Sequence, residues 1–232
     1  MMDVTIGLIG AMDEEIKLLK ESMDNPITKE IASFQFTSGS IEGRDVVLLK
    51  SGIGKVNAAI GTTILNQLYS PTYVINTGSA GGFHPELNVG DVVISSAVTY
   101  HDVDATAFGY DYGQVPQMPA YYEPDETLVS IAERCAKQTA KQVVKGVIAT
   151  GDSFMTDVER INDIRTKFPN LYAVEMEAGA IAQVCYRFQT PFVVIRSLSD
   201  IAGKDAEISF DEYLHIAAEN SAEHILLMIE EL

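Results

Sequence analysis

Apolar positions along the chain fall into two alternating rhythms. Val4–Gly10 is a continuous apolar run, as in a strand covered on both faces, and Met12–Ser22 follows with helical spacing at Ile16, Leu18 and Leu19. Phe34–Thr37 and Val46–Lys50 flank the turn sequence Ile41-Glu42-Gly43-Arg44, which predicts a hairpin. Val56–Leu68 carries Ile60, Ile64 and Leu68 on one helical stripe. Tyr73–Asn76 and Val92–Val98 read as strands, Glu126–Ala140 as a helix after Pro124-Asp125, Val143–Thr150 as a strand and Val158–Phe168 as a helix. Tyr172–Val174 is a short strand running into a helix over Met176–Phe188, Phe192–Ile195 is a strand, and Phe210–Leu232 closes as a long helix. This alternation predicts an α/β fold with a largely parallel sheet and one antiparallel hairpin. One long segment, Tyr100–Tyr122, keeps neither rhythm. It is rich in Tyr, Phe and Pro, and so long a loop in a compact domain reads as a partner or ligand contact.

Composition narrows the picture. At about 150 residues per domain, 232 residues favour one large domain spanning the whole chain. With 47% hydrophobic and 21% charged residues it reads as globular. Sixteen Lys and Arg against 33 Asp and Glu leave a net charge of −17, which argues against nucleic acid and against an anionic membrane surface. Cys135 and Cys185 stand far apart in helix-like runs, as free buried thiols of a reducing compartment do. No apolar run approaches the roughly 18 residues of a membrane span. The opening MMDVTIGLIGAMDEE lacks a basic n-region, so it reads as a first strand rather than a signal peptide, and the expected location is the cytoplasm.

Parallel sheets bind ligands at the carboxyl ends of their strands. Those ends carry Gly10-Ala11-Met12-Asp13-Glu14-Glu15, Ser51-Gly52-Ile53-Gly54-Lys55, Asn76-Thr77-Gly78-Ser79-Ala80-Gly81-Gly82, Thr150-Gly151-Asp152-Ser153-Phe154-Met155, Val174-Glu175-Met176-Glu177 and Arg196-Ser197-Leu198-Ser199-Asp200. The glycine segments fit either a phosphate cradle or plain tight turns, and match neither the P-loop nor the dinucleotide fingerprint. Asp13, Glu14 and Glu15 suit the positive end of a helix whatever else they do, and Asp200 suits a helix N-cap. Three strand ends each delivering an acid to one face nevertheless fit glycosidic-bond hydrolysis, in which one carboxylate activates water and another protonates the leaving group. His101, Asp102 and Asp104 lack metal-ligand spacing, and no metal is expected.

Taken together these segments resemble the 5′-methylthioadenosine/S-adenosylhomocysteine nucleosidases of the nucleoside phosphorylase superfamily. The likeness runs from Ile6 to the Ser209–Glu212 segment and is most specific at SGIGKVNAA (51–59), INTGSAGG (75–82), YHDVDATAFGY (100–110), GDSF (151–154), VEMEA (174–178) and RSLSD (196–200). It implies a mixed, twisted sheet flanked by helices, a homodimer, and no cofactor. It also implies hydrolysis of the N-glycosidic bond of adenine nucleosides, releasing adenine and a 5-substituted ribose. Glu15 then matches the acid that activates water and Asp200 the acid that protonates adenine N7. Glu177 matches the acid that holds the ribose hydroxyls, with Met176 against the sugar. Phe154 stacks near adenine, the Met155 backbone meets its edge, and Ser79 and Arg196 lie near the water and its activating acid. Ile53 and Phe210 line the sugar and 5′-alkylthio region, and Met12, Ala80, Gly81, Glu175 and Ser199 complete the substrate site. Phe108 and Pro116 match residues that cross the dimer interface into the neighbour's 5′ pocket. The chain departs from the family in having Gly179 where Thr is common and Met155 where Ile is more usual. Two alternatives share the scaffold: a phosphorylase, which needs cations where this chain has Asp13-Glu14-Glu15, and a non-catalytic nucleoside-binding protein, which has no need of Glu15, Glu177 and Asp200.

Overall fold

The structure is a computed structural model describing residues 4–140, 142–203 and 206–232. Of the 209–212 segment, the side chains of Ser209 and Asp211 lie outside the described residues. Ten strands and six helices are described: β1 (Thr5–Gly10), α1 (Asp13–Glu21), β2 (Asp24–Ile31), β3 (Phe34–Ile41), β4 (Arg44–Lys50), α2 (Lys55–Tyr69), β5 (Tyr73–Asn76), β6 (Ser79–Gly82), β7 (Val92–Tyr100), α3 (Glu126–Thr139), β8 (Val143–Thr150), α4 (Val158–Lys167), β9 (Leu171–Glu175), α5 (Ala178–Phe188), β10 (Phe192–Ile201) and α6 (Ala206–Glu231). The strand order is β2-β3-β4-β1-β5-β10-β6-β9-β8-β7, and β7 also pairs back with β10. The sheet is therefore open at the β2 edge and closed on itself from β10 round to β7.

Its pairings are mixed. β1 lies parallel to β4 and β5, β10 parallel to β5 and β6, and β8 parallel to β7 and β9. β2–β3, β3–β4, β6–β9 and β7–β10 are antiparallel. The predicted hairpin is the β3–β4 pair, but antiparallel pairing extends well beyond it. Two strands escape the hydrophobic pattern. β2 is exposed along nearly its whole length and contains Pro26, as an edge strand permits. β6 is Ser-Ala-Gly-Gly, too poor in side chains to show a rhythm.

Alternation along the central strands divides the core. Ile6 and Leu8 of β1 and Val46 and Leu48 of β4 pack with α1, α3 and α6, whereas Ile9, Val47 and Leu49 pack with α2 and α5. α4 closes a smaller cluster through Ile161 and Ile164 against Ala149 and Leu171. Cys135 and Cys185 are both free and buried. No helix among the described residues is long and apolar enough to cross a membrane.

Segment 100–122 is a loop with a single 3₁₀ turn at Thr106–Phe108. Its base is fixed by Val98–Tyr122 pairing, by Thr99 Oγ1 donating to the Ala120 carbonyl and by Gly113 N donating to the Val103 carbonyl. Its tip carries Phe108, which is 83% exposed.

Candidate active site

The carboxyl ends of β1, β4, β8 and β9, with β6, β10 and the starts of α1 and α6, surround one cavity of about 310 Å³. Ala11, Met12, Glu15, Ile53, Ser79, Ala80, Gly81, Ser153, Phe154, Met155, Val174, Glu175, Met176, Glu177, Ser199, Asp200 and Phe210 line it. Fourteen residues expected at the site from the sequence are in that wall. Ala11, Ser153 and Val174 join them without being legible as site residues in the sequence. Each sits inside a strand-end segment that is legible, and nothing in its own side chain marks it.

Glu15 is buried in the first turn of α1 and is held from two directions. Its Oε2 accepts the Ala11 and Met12 N–H groups at 2.8 and 3.2 Å. Its Oε1 accepts the Ser79 N–H at 2.9 Å and the Ser79 hydroxyl at 3.1 Å. Of its two acidic neighbours, Asp13 is exposed and paired with Lys50, so Glu15 alone of the three faces the cavity. The expected triple acid at the anion position is thus one carboxylate.

Asp200 lies inside β10, not at a helix N-cap. The sequence predicts that the strand stops at Ile195, because the polar side chains of Arg196, Ser197, Ser199 and Asp200 end the apolar run. All are buried, and β10 continues through them. Consecutive strand residues normally face opposite sides. Here the pairing with β6 slips between Leu198 and Asp200, and both Ser199 and Asp200 reach the cavity. Ser199 Oγ donates to Asp200 Oδ1 at 2.9 Å. Burial raises the Asp200 carboxyl above the usual carboxylate range, and the Ser199 bond opposes that only in part. Asp200 Oδ2 is so close to Gly81 that a Cβ there would lie 3.0 Å from it.

Glu177 stands between β9 and α5, which starts at Ala178 rather than Met176. Its Oε1 accepts the Gly54 N–H at 2.7 Å. Burial and then the neighbouring Glu175 push its pKa up to about 8, against the Gly54 N–H and Arg196. Glu175 touches the cavity, but its oxygens are already engaged. Oε1 accepts from the Thr150 hydroxyl, and Oε2 accepts from Arg196 Nη2 at 2.8 Å, Glu177 N at 3.0 Å and Ala178 N at 2.8 Å. It shapes the turn that presents Glu177, and its charge is met by the Arg196 guanidinium in a buried ion pair. Arg196 is likewise corrected. It is not in the cavity wall, and its bonds go to Glu175, Asn76 and the Ile195 carbonyl instead of Glu15.

The aromatic side is Phe154 and Phe210, edge to face with centroids 5.6 Å apart. Ile53 is 52% exposed at the rim. Phe108 and Pro116 are not in the wall. Gly179 is forced by packing, since a Cβ there would meet Tyr100 Cε1 at 2.7 Å. His101, Asp102 and Asp104, at which no metal is expected, diverge: Asp102 pairs with Lys55, Asp104 accepts from Thr106, and the buried His101 ring packs on Gly151.

Fold and cavity together define a protein whose wall brings Glu15, Glu177 and Asp200, beside the Arg196-paired Glu175, around an apolar slot. The chain belongs to the phosphorylase superfamily, which it matches over residues 5–230, and within it to the 5′-methylthioadenosine/S-adenosylhomocysteine nucleosidases. It is 58% identical over 228 residues to the enzyme of that name from Bacillus subtilis (strain 168), covering 98% of this chain and 99% of the relative. It is similar to the Colwellia psychrerythraea nucleosidase solved with adenine (50% identity, TM-score 0.96, 99% of this chain and 96% of that one). It is equally similar in fold to the Neisseria meningitidis enzyme solved with methylthio-immucillin-A (47% identity, TM-score 0.96, 98% and 99%).

Proposed function

We propose that this chain hydrolyses the N-glycosidic bond of 5′-methylthioadenosine and S-adenosylhomocysteine, releasing adenine and the 5-thio-substituted ribose. The observation that carries the reading is the pairing of two buried carboxylates with opposite surroundings in one cavity. Glu15 is ringed by N–H and O–H donors, and Asp200 by burial and a single hydroxyl.

Adenine leaves poorly as an anion, so a proton must reach it as the bond breaks. Asp200 is the donor: its raised pKa keeps the proton available, and Ser199 occupies Oδ1, leaving Oδ2 to carry it. The sugar becomes oxocarbenium-like, and a carboxylate in a water-poor cavity stabilises that charge. Glu15, fixed by Ala11, Met12 and Ser79, takes the proton of the attacking water. Glu177 accepts from the ribose hydroxyls, with Met176 beside it in the wall. Phe154 and Phe210 enclose the flat base and the thioether, groups that favour apolar walls.

Water rather than phosphate is the nucleophile. Among the described residues in the cavity wall none is Lys, Arg or His, and Arg196 is committed to Glu175. A phosphate dianion would face carboxylates with no cation to meet it.

The whole chain acts as one nucleosidase domain, in the cytoplasm, where its two free thiols stay reduced. The working form is a homodimer. Phe108 at the loop tip and Val56, Ile60, Tyr186 and Phe188 on α2 and α5 are exposed apolar groups that a second copy would cover. Phe108 and Pro116 then complete the 5′ pocket of the neighbour. Incubation with methylthioadenosine and identification of both products tests the reading; release of adenine with an intact thioribose is expected.

A further inference from the structure

The N–H that holds Glu177 is itself held by an ion cluster outside the cavity. Gly54 adopts φ +97°, in the left-handed region, and its N–H donates to Glu177 Oε1 at 2.7 Å. The next N–H along the chain, that of Lys55, donates to Asp152 Oδ1 at 2.8 Å. Lys55 Nζ bonds both oxygens of Asp102, at 2.8 and 2.7 Å, and lies 3.9 Å from Asp152 Oδ2. Asp102 Oδ2 also accepts the Asp152 N–H at 3.0 Å. Three side chains thus tie the start of α2 to the loops that follow β7 and β8. None of the three is in the cavity wall. The Lys55 and Asp102 side chains are only 24% and 16% exposed, so this is not a freely solvated surface pair.

We propose that Lys55, Asp102 and Asp152 are positioning residues for Glu177: they fix the Gly54 peptide so that its N–H meets Glu177 Oε1, and so set the grip on the ribose hydroxyls. The inference rests on the assignment of Glu177 to the ribose. The groups facing Glu177 are Glu175 of β9 and Glu15 of α1, which disfavour its charge, and Arg196 of β10 and the Gly54 N–H, which favour it. Without the Gly54 N–H, the Glu177 carboxyl, which already keeps its proton up to about pH 8, keeps it to higher pH still, and its Oε1 loses the bond that aims it. The charged form that best accepts hydroxyl donors then appears only at higher pH. Glu15 and Asp200 draw their partners from Ala11, Met12, Ser79 and Ser199, outside the cluster, so the chemical step is spared.

The test measures KM and kcat against pH for methylthioadenosine and its 2′-deoxy analogue in Lys55→Met, Lys55→Arg, Asp152→Ala and Glu177→Gln, with thermal melting to verify folding. In Lys55→Met, KM for the ribonucleoside rises about tenfold while KM for the deoxy analogue and both kcat values change little. The pH below which KM climbs moves upward, and Lys55→Arg, which keeps the cation, restores wild-type behaviour. If Lys55→Met fails to fold, Asp152→Ala carries the same comparison, because it leaves the Lys55–Asp102 pair in place. A folded variant that leaves the ratio of the two KM values unchanged, while Glu177→Gln alters it, overturns the inference and spares the ribose assignment. A Glu177→Gln enzyme that itself leaves the ratio unchanged overturns both.

Discussion

Glu15 Oε1 accepts two hydrogen bonds from one residue, Ser79, through its backbone N–H at 2.9 Å and its hydroxyl at 3.1 Å. The two residues lie 64 positions apart and meet because α1 and β6 converge on the cavity. Between them Gly78 leaves no room: a Cβ there would lie 2.7 Å from Glu15 Oε1. Gly78→Ala should therefore displace the Glu15 carboxylate and lower kcat by about 10²-fold, the lower range for a lost general base. Ser79→Ala removes only the hydroxyl and should cost about tenfold. Steady-state kinetics on both variants checks the order. Equal losses would mean that the hydroxyl, not the carboxylate position, is limiting.

Asp200→Asn keeps the shape and loses the proton. On adenine nucleosides kcat should fall by about 10²–10⁴-fold with binding retained. A substrate with a leaving group that needs no protonation, such as 4-nitrophenol, should lose far less. Comparable losses on the two substrates would remove Asp200 from the role of acid.

Buried acids with raised pKa values make the empty enzyme less stable as pH rises. Glu177 holds its proton in the folded state up to about 8 but releases it near 4.5 when unfolded. Between those values the folded state binds more protons, so stability falls with increasing pH. Glu177→Gln has no charge to bury. Its melting temperature should exceed that of the wild type by a margin that widens from about pH 5 to pH 8, as measured by calorimetry without ligand. A margin that shrinks across this window would contradict the assigned direction.

The exposed Phe108 ring predicts a cross-subunit pocket. Phe108→Ala should raise KM for methylthioadenosine more than for adenosine, because burying such a ring against the thioether is worth about 1.5–3 kcal/mol. A heterodimer of Phe108→Ala with Glu15→Gln chains separates the arrangements. In trans, one site carries both defects and the other neither, so half the sites keep wild-type affinity. A heterodimer with no such sites would place the loop in cis.

Much of this was legible in the sequence where one rhythm dominates. β8 falls at Val143–Thr150 as predicted, and α2 and α3 differ from expectation by a residue at each end or at one end. Pattern reading failed where side chains are polar or missing. β2 is an exposed edge, β6 is half glycine, and the second half of β10 hides Arg196, Ser199 and Asp200 in hydrogen bonds rather than in apolar contacts. The site positions were legible as strand-end motifs. The division of labour among the acids was not: the resemblance placed Arg196 beside Glu15, and only the three-dimensional pairing assigns it to Glu175. Asp13-Glu14-Glu15 shows the same limit, since one residue in three faces inward.

The most direct test follows the oxygen that arrives at the sugar. Methylthioadenosine is turned over in ¹⁸O-labelled water, with and without inorganic phosphate, and the thioribose product is analysed by mass spectrometry. The account predicts free methylthioribose carrying one solvent oxygen, formed at a rate that phosphate does not change. Methylthioribose 1-phosphate as the main product, with no solvent oxygen in the sugar, would contradict it.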